Sequence, residues 1–532
     1  MRIITDETDI GSLTKQELFY LYNGMDCLIT YQLRDILLPK VEEEAVAPYE
    51  YEMAMLPVAM DMMLRGMKID HRAMQLLLEE LYAKKQKYAA FLDELAMVLL
   101  DQGVNHQSDK QLKVLFYDVL GITPIKKRDG NAWKVTTNRE ALEKIEKENA
   151  KGRVFATLVL ALRDIDKQTS VLTAERDADG RLRTSFNVAG TETWRWSSSA
   201  SPAYSGINFQ NVNERLRRVF VPDDGYVLYY ADLDQAESRV VAYLSSDDNY
   251  INACESGDLH TYVTQMVWPD LEWTGDAGED RELAERNYLR GFSRRDLCKR
   301  AGHGTNYGLQ AASLSRHLQI KVREASRFQL QYYGGAVKYE ELGRWHEQDR
   351  DGGFDKLIEE GSVVGVAPGK GEKDKRLVYI EGNFPGIRKW HDTVAAELEM
   401  EGKLTNPFGF TRKFWGRSSD SATLRSAIAF LPQSTVGILT SIGLYRIWKE
   451  LPEVQLLANI HDAALGQIPE KKIDKLAPLV IDCMMNPLDI GGKLMTIPSS
   501  LEVGMNWGHV VRDEETRDVI DNPNGLDGWK ES

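Results

Sequence analysis

Asp232 and Asp462 carry the first chemistry legible in this chain. In YVLYYADLDQAESRVVAYL (226–244) the aromatic and β-branched residues at 226–231 suit a short half-buried strand, and 236–244 is apolar at helical spacing. Asp232 therefore falls where a strand ends and a helix is about to begin. A carboxylate at the mouth of a buried strand is costly unless a cation or a donor meets it. Asp234 with Glu237, three residues on, reads as a helix-capping box, which leaves Asp232 unexplained. In LLANIHDAALGQI (456–468) two apolar runs flank His461 and Asp462, a tight hairpin with an imidazole and a carboxylate at its tip. Two such carboxylates brought together repel at pH 7 unless a divalent metal holds them. Oxygen-only ligation favours magnesium, bound through one or two carboxylates plus substrate phosphates.

A third element suits phosphates. In SRRDLCKRAGHGTNYGL (293–309), Arg295, Lys299, His303 and Tyr307 recur every four residues. On a helix they form one slightly drifting stripe about 18 Å long, cations first and rings after. Such a stripe can hold a triphosphate at its basic end and stack a base or sugar at its aromatic end. The alternative is a solvated basic helix face.

These residues resemble the motifs of the family A DNA polymerases, typified by bacterial DNA polymerase I. DLDQAESR (232–239) resembles the first motif, RDLCKRAGHGTNYG (295–308) the nucleotide-binding helix, and His461-Asp462 the third motif. In the same order come TWRWSSS (193–199), Gln210-Asn211, GDLH (257–260), RSAIAFLPQ (425–433) and GMNW (504–507), so the similarity runs from about 51 to 508. The resemblance implies an α+β right hand: a helical thumb at 65–172, a palm on an antiparallel sheet (173–245 and 404–508) and helical fingers at 246–403. An inserted surface hairpin or flap is expected at about 342–375, an exonuclease-domain remnant and helical lead-in at 1–64, and an acidic tail at 509–532.

The function implied is template-directed DNA synthesis on primer-template DNA with dNTPs. Asp232, Asp462 and the Leu233 backbone carbonyl would hold two Mg2+ ions. Arg295, Lys299, His303, Tyr307, His260 and Gln235 would meet the incoming nucleotide, with Lys299 protonating the leaving group and Glu237 excluding a 2′-hydroxyl. Arg195, Gln210, Asn211, Arg425, Gln433, His461 and Gly308 would touch DNA, and Tyr307 and Gly308 would border the templating base. The rivals are a single-subunit RNA polymerase-like enzyme, a metal-dependent hydrolase and a non-catalytic DNA-binding relative.

The sequence departs from the family pattern in places. Ala429 stands where Asn is usual, so Gln433 should carry more of the DNA contact, and Ala463 follows the third-motif Asp where Glu is frequent. His303 replaces the usual Phe or Tyr, an imidazole with a reference pKa of about 6.5 facing the phosphates. Gly302 replaces Asn; Gly costs about 1 kcal/mol in a helix interior. With Gly304 nearby, the nucleotide helix should bend or flex. Tyr22 and Asp26, four apart in YNGMDCLITYQLRDIL (22–37), resemble the third motif of a 3′→5′ proofreading exonuclease; the alternative is one face of an amphipathic helix. The earlier acidic motifs have no room upstream, which implies a phage replicative form without proofreading of its own. Partners would then be a separately encoded exonuclease, a helicase or other replisome proteins.

Composition bounds the remainder. The chain has 532 residues, 43% hydrophobic and 28% charged, an ordinary globular composition. Its net charge of −15 resides partly in the acidic, evidently solvated stretches 513–518 and 521–531, so the local field rather than the total bears on DNA binding. No apolar run approaches the ~18 residues of a membrane span, and MRIITDETD lacks the apolar core of a signal peptide. Cys27, Cys254, Cys298 and Cys483 are scattered without metal spacing, which fits free thiols. The expected location is the cytoplasm, of a host bacterium if phage-encoded.

Overall fold

Five antiparallel strands form the sheet that carries the site: β1 (Tyr226–Leu233), β2 (Gln455–Ile460), β3 (Ala463–Pro469), β4 (Ser499–Gly504) and β5 (Asp527–Gly528), in the order β2-β3-β1-β4-β5. The structure is a computed structural model that describes residues 5, 9–130, 132–200, 205–289, 291–338, 363–367, 377–513 and 518–530. The insertion expected at about 342–375 lies outside the described residues except for 363–367, a strand paired with Leu377–Ile380.

β1 is central because its aromatic and β-branched side chains are covered on both sides. It pairs with β3 at Asp232 opposite Ala463 and with β4 at Asp232 opposite Ser500. β2 and β3 are joined by His461 and Asp462 alone, with His461 in the left-handed region at φ 57°. That is the expected hairpin, and it puts the Asp462 carboxylate at the same end of the sheet as Asp232. Gly466 of β3 lies under the Tyr229 ring, so close that a Cβ would stand 2.5 Å from its atoms.

The longer helices and those at the site are α1 (Lys15–Leu37), α2 (Glu43–Arg65), α3 (His71–Leu100), α4 (Arg139–Glu148), α5 (Arg153–Leu172), α6 (Ala236–Leu244), α7 (Leu259–Val267), α8 (Arg294–Asn306), α9 (Val322–Tyr333), α10 (Pro385–Glu401), α11 (Ser421–Glu450) and α12 (Ile473–Met484). Together with the sheet they make an α+β arrangement. α12 packs on β1, β3 and β4, and α11 runs past α6, α10 and α12. By length and mean hydropathy α11 could cross a membrane, which the sequence reading did not anticipate; 83% of its most apolar window is buried, so it is the central core helix. α3, α4 and α5 form a lobe with its own core of Leu92, Phe116, Leu142, Val159 and Leu162. There Lys85 and His106 both pair with Asp166, at 2.6 and 2.7 Å. Lys85 is thus held by its own lobe rather than standing free.

α8 is α-helical through Gly302 and Gly304. Both glycines lie close to neighbours: a Cβ on Gly302 would lie 3.3 Å from the Tyr332 hydroxyl, and one on Gly304 3.2 Å from Leu309 and Leu314. One expectation is corrected: 521–531 is not a solvated tail throughout. β5 adds to the edge of β4, Leu526 is buried, and the Asn522 amide donates to Asn506 Oδ1 and to the Gly508 carbonyl, both at 3.0 Å. Apolar Leu526 and Trp529 explain the folding back, since burying them outweighs solvating a short acidic strand.

Candidate active site

One guanidinium bridges Asp462 and Glu237. Arg195 Nη2 donates to both carboxylate oxygens of Asp462, at 2.8 and 3.0 Å, and to Glu237 Oε1 at 2.5 Å. The other oxygen of Glu237 accepts from the Tyr307 hydroxyl, and His303 Nδ1 lies 3.7 Å from it. A chain Asp462–Arg195–Glu237–Tyr307 thus ties the β2–β3 turn to α6 and to the end of α8. The His303 and Tyr307 rings meet edge to face at 4.7 Å.

Glu237 is therefore not a cap. α6 begins after Gln235, which has φ 54° and caps nothing with its side chain. Asp234 accepts from Ser500 Oγ at 2.9 Å, and its amide donates to the Pro498 carbonyl at 2.8 Å. The expected capping box fails because a charge-assisted bond to a half-buried guanidinium is stronger than one to a backbone amide. Gln235 Nε2 donates to the Gly257 carbonyl at 2.8 Å, while its Oε1 is buried without a partner.

Asp232 stands on the same sheet face as Tyr230, Ser500 and Glu502. Burial pushes its carboxyl up to about 7, with Asp462, Asp234 and Glu502 adding to the effect and the Leu233 amide opposing it. Burial also raises Asp462, against the opposing pull of Arg195. A buried carboxylate without a cation of its own, beside a second held by one displaceable arginine, is a donor set that fits a divalent ion. Among the described residues no three His, Cys, Asp or Glu side chains converge as a metal cage, so such an ion would need further oxygens from backbone or substrate. The Leu233 side chain is buried, which leaves its backbone as what it can offer.

The stripe on α8 is brought together as expected, though Arg295 is not free. It makes two bonds to Asp258, at 3.0 and 2.9 Å. Asp258 also caps α7 through the His260 and Thr261 amides. Burial works to raise Asp258, yet Arg295 and Thr261 hold it at about 2. Lys299 and His303 are exposed on the same side. Burial, then Arg295 and Lys299, push His260 down to about 4, so it is a neutral imidazole at pH 7 beside the basic end of the stripe.

The remaining residues border this centre. Gln210 Nε2 donates to the Trp196 carbonyl at 3.0 Å and to Asn459 Oδ1 at 3.1 Å, and Asn459 donates in turn to the His461 carbonyl at 3.2 Å. Arg425, Ala429 and Gln433 form a half-buried stripe on α11. Gly308, at φ 68°, packs on that helix with a would-be Cβ 3.2 Å from Ile428 and 3.8 Å from Arg425. His461 and Asn211 are exposed. Among the described residues, Asn211, Arg425 and Gln433 make no side-chain hydrogen bond to the acidic pair. Sequence reasoning missed Asp258, Asn459, Glu502 and His509. Asp258 carried a signal, a helix N-cap before an apolar run, and Glu502 alternates with Ser500 along β4. His509 Nε2, 3.0 Å from Glu502, carried none.

Comparison with known proteins shows what the chain resembles. The model of DNA polymerase family A matches residues 75–352. A thermostable DNA polymerase I of Thermus filiformis is 27% identical over 500 residues, 91% of this chain and 51% of that protein. DNA polymerase I of Mycobacterium tuberculosis is 26% identical over 434 residues, 78% of this chain and 39% of that protein. The chain thus spans about half the length, or less, of these curated relatives. The solved POL domain of Pol1 from M. smegmatis, in complex with DNA primer-template and dNTP, shares the fold with a TM-score of 0.63 at 21% identity, covering 86% of this chain and 70% of that one. With the family model matched over more than half its length, the chain belongs to DNA polymerase family A.

Proposed function

We propose that this chain is a template-directed DNA polymerase that adds dNTPs to a primer 3′-hydroxyl, in DNA replication. The observation that carries the reading is the convergence of Asp232 and Asp462, from the ends of paired strands, beside a helix whose cations and rings share one side. Asp232 and Asp462, with the Leu233 carbonyl, would hold two Mg2+ ions. When bound, these supply activation of the 3′-hydroxyl and neutralisation of the phosphate charge. The hydroxyl oxygen bonds to the α-phosphorus in line as the bond to the β-phosphate breaks, and pyrophosphate leaves. Lys299 and Arg295 neutralise the triphosphate, and Lys299 gives the leaving group its proton. His260, neutral at pH 7, hydrogen-bonds near the pyrophosphate rather than adding charge. Gln235 and His303 border the same nucleotide.

Glu237 excludes a 2′-hydroxyl; Arg195 and the Tyr307 hydroxyl hold it in place. Arg195, Gln210, Asn211, Arg425, Gln433 and His461 meet the duplex, with acceptors in the minor groove similar for all correct pairs. Tyr307 and Gly308 border the templating base. Residues 65–172 serve as thumb, 173–245 and 404–508 as palm, and 246–403 as fingers. The palm is the sheet carrying Asp232.

A protein partner is part of this reading. None of the residues of α1 is buried, and Phe19 and Tyr22 are 66% and 67% exposed. Most of a helix's stability in a protein comes from packing its apolar face, and α1 buries none of its residues. A separately encoded 3′→5′ exonuclease, a helicase or another replisome protein would cover it. Its four free thiols, three of them buried, suit the reducing cytoplasm, of the host if the source is a phage.

Filling-in of a primed template tests the function. Extension is expected with dNTPs, Mg2+ and template, and not with rNTPs or without template. Equal extension by rNTPs would identify an RNA polymerase; tight DNA binding without extension would identify a non-catalytic relative.

A further inference from the structure

We propose that Arg195 gates metal loading: in the DNA-free chain its guanidinium occupies the Asp462 carboxylate, and the primer terminus draws it away. This rests on the two-carboxylate reading of the site. Nη2 alone serves three carboxylate oxygens, two on Asp462 and one on Glu237. A guanidinium Nη carries two hydrogens, so three acceptors share two donors. The contact also lacks the two-nitrogen fork that makes arginine–carboxylate pairs strong. Nε is buried with no partner at all. The guanidinium is under-satisfied as held, and it has donor capacity left for another acceptor.

The backbone around Arg195 has little freedom to give. Gly437 of α11 sits beneath it, where a Cβ would be 3.2 Å from both the Arg195 amide nitrogen and the Trp194 carbonyl. Trp194 itself is held at φ 52°. Release from Asp462 is thus a swing of the side chain, with Glu237 as the anchor that remains. A divalent ion and this guanidinium compete for the same two oxygens, so metal binds weakly until Arg195 finds another acceptor. The minor-groove edge of the terminal base pair offers one whatever the sequence. Metal affinity and primer-template affinity are then coupled, each raising the other by the same factor. On this account Arg195 is a positioning residue that keeps the site closed to metal until a primer terminus is seated.

Mn2+ binding to the full chain, followed by electron paramagnetic resonance of the free ion, tests this without turnover. Titrations are run without DNA and with saturating dideoxy-terminated primer-template. Primer-template should tighten Mn2+ binding by wild type about tenfold, within the usual range of coupling between sites. Arg195→Gln should bind Mn2+ about tenfold more tightly than wild type without DNA, and gain little when DNA is added. Arg195→Lys, shorter in reach, should fall between. Wild-type or weaker DNA-free affinity in Arg195→Gln, with an unchanged thermal melt, overturns the gate and leaves the carboxylate assignment standing. If Asp462→Asn keeps its full Mn2+ complement, the carboxylate assignment itself fails, and the gate with it.

Discussion

Glu237 joins two residues that the sequence separates widely, Arg195 through one oxygen and Tyr307 through the other. Its place in a motif was legible; its partners were not, because no local periodicity relates 195 to 237 or 462. Local propensity suggested a cap there, and a longer-range ion pair took the side chain instead. Glu237→Ala should raise rNTP incorporation relative to dNTP about tenfold or more, since a site that merely crowds a hydroxyl discriminates by steric fit. Unchanged discrimination in single-nucleotide incorporation would leave Glu237 with only its structural bonds to Arg195 and Tyr307. Asp232 yields a second prediction. Its carboxyl is pushed up to about 7, against about 3.9 in an unfolded chain. Between those values the folded state holds a proton that the unfolded state has lost, so this group's contribution to stability falls as pH rises through that window. Asp232→Asn, in chelator, should melt at least about 2 °C above wild type at pH 8, with a smaller gap at pH 5. Mg2+ should raise the wild-type melt at pH 8 and leave the variant unmoved. Equal melts for both proteins at pH 8 would contradict the burial of an unpaired carboxylate.

At the scale of elements, the strand–helix reading of 226–244 and the hairpin at 456–468 followed from apolar patterning alone, and both stand within a residue or two. The glycines were less legible. Gly302 and Gly304 looked like weak points in a helix, whereas the packing around them leaves only tight room for a Cβ. Gly466 is the same case in a strand: it leaves room for the Tyr229 ring across the β1–β3 ladder. Gly466→Ala should destabilise the fold by about 1–3 kcal/mol through overpacking. Urea unfolding would show this as a lower midpoint; an unchanged midpoint would mean that Tyr229 yields at no cost. The return of 519–529 to the sheet edge was hidden because its apolar anchors, Leu526 and Trp529, are isolated among Asp, Asn and Gly without a strand period.

For the whole molecule, a net charge of −15 said little about DNA, because binding depends on the local field, and α8 presents Arg295 and Lys299 four residues apart on one face. Family order across distant motifs, rather than composition, made the fold readable. The apolar exposure of α1 depends on what covers it, which patterning within the chain does not reveal. On that helix Asp26 belongs to no group of three or more His, Cys, Asp or Glu side chains among the described residues that could hold a metal, so this chain with Mg2+ should leave a 3′-mismatched, end-labelled primer intact in the absence of dNTPs. Shortening that disappears in Asp26→Ala but persists in Asp232→Asn would reveal a working exonuclease site here. The central claim is that Asp232 and Asp462 act on the reacting atoms, while phosphate contacts elsewhere supply most DNA affinity. Single-turnover primer extension by Asp232→Asn and Asp462→Asn, alongside their primer-template affinities, tests it most directly. Extension should fall by roughly three orders of magnitude or more in each, with DNA affinity nearly unchanged. Near-normal extension by either variant under Mg2+ would contradict the account.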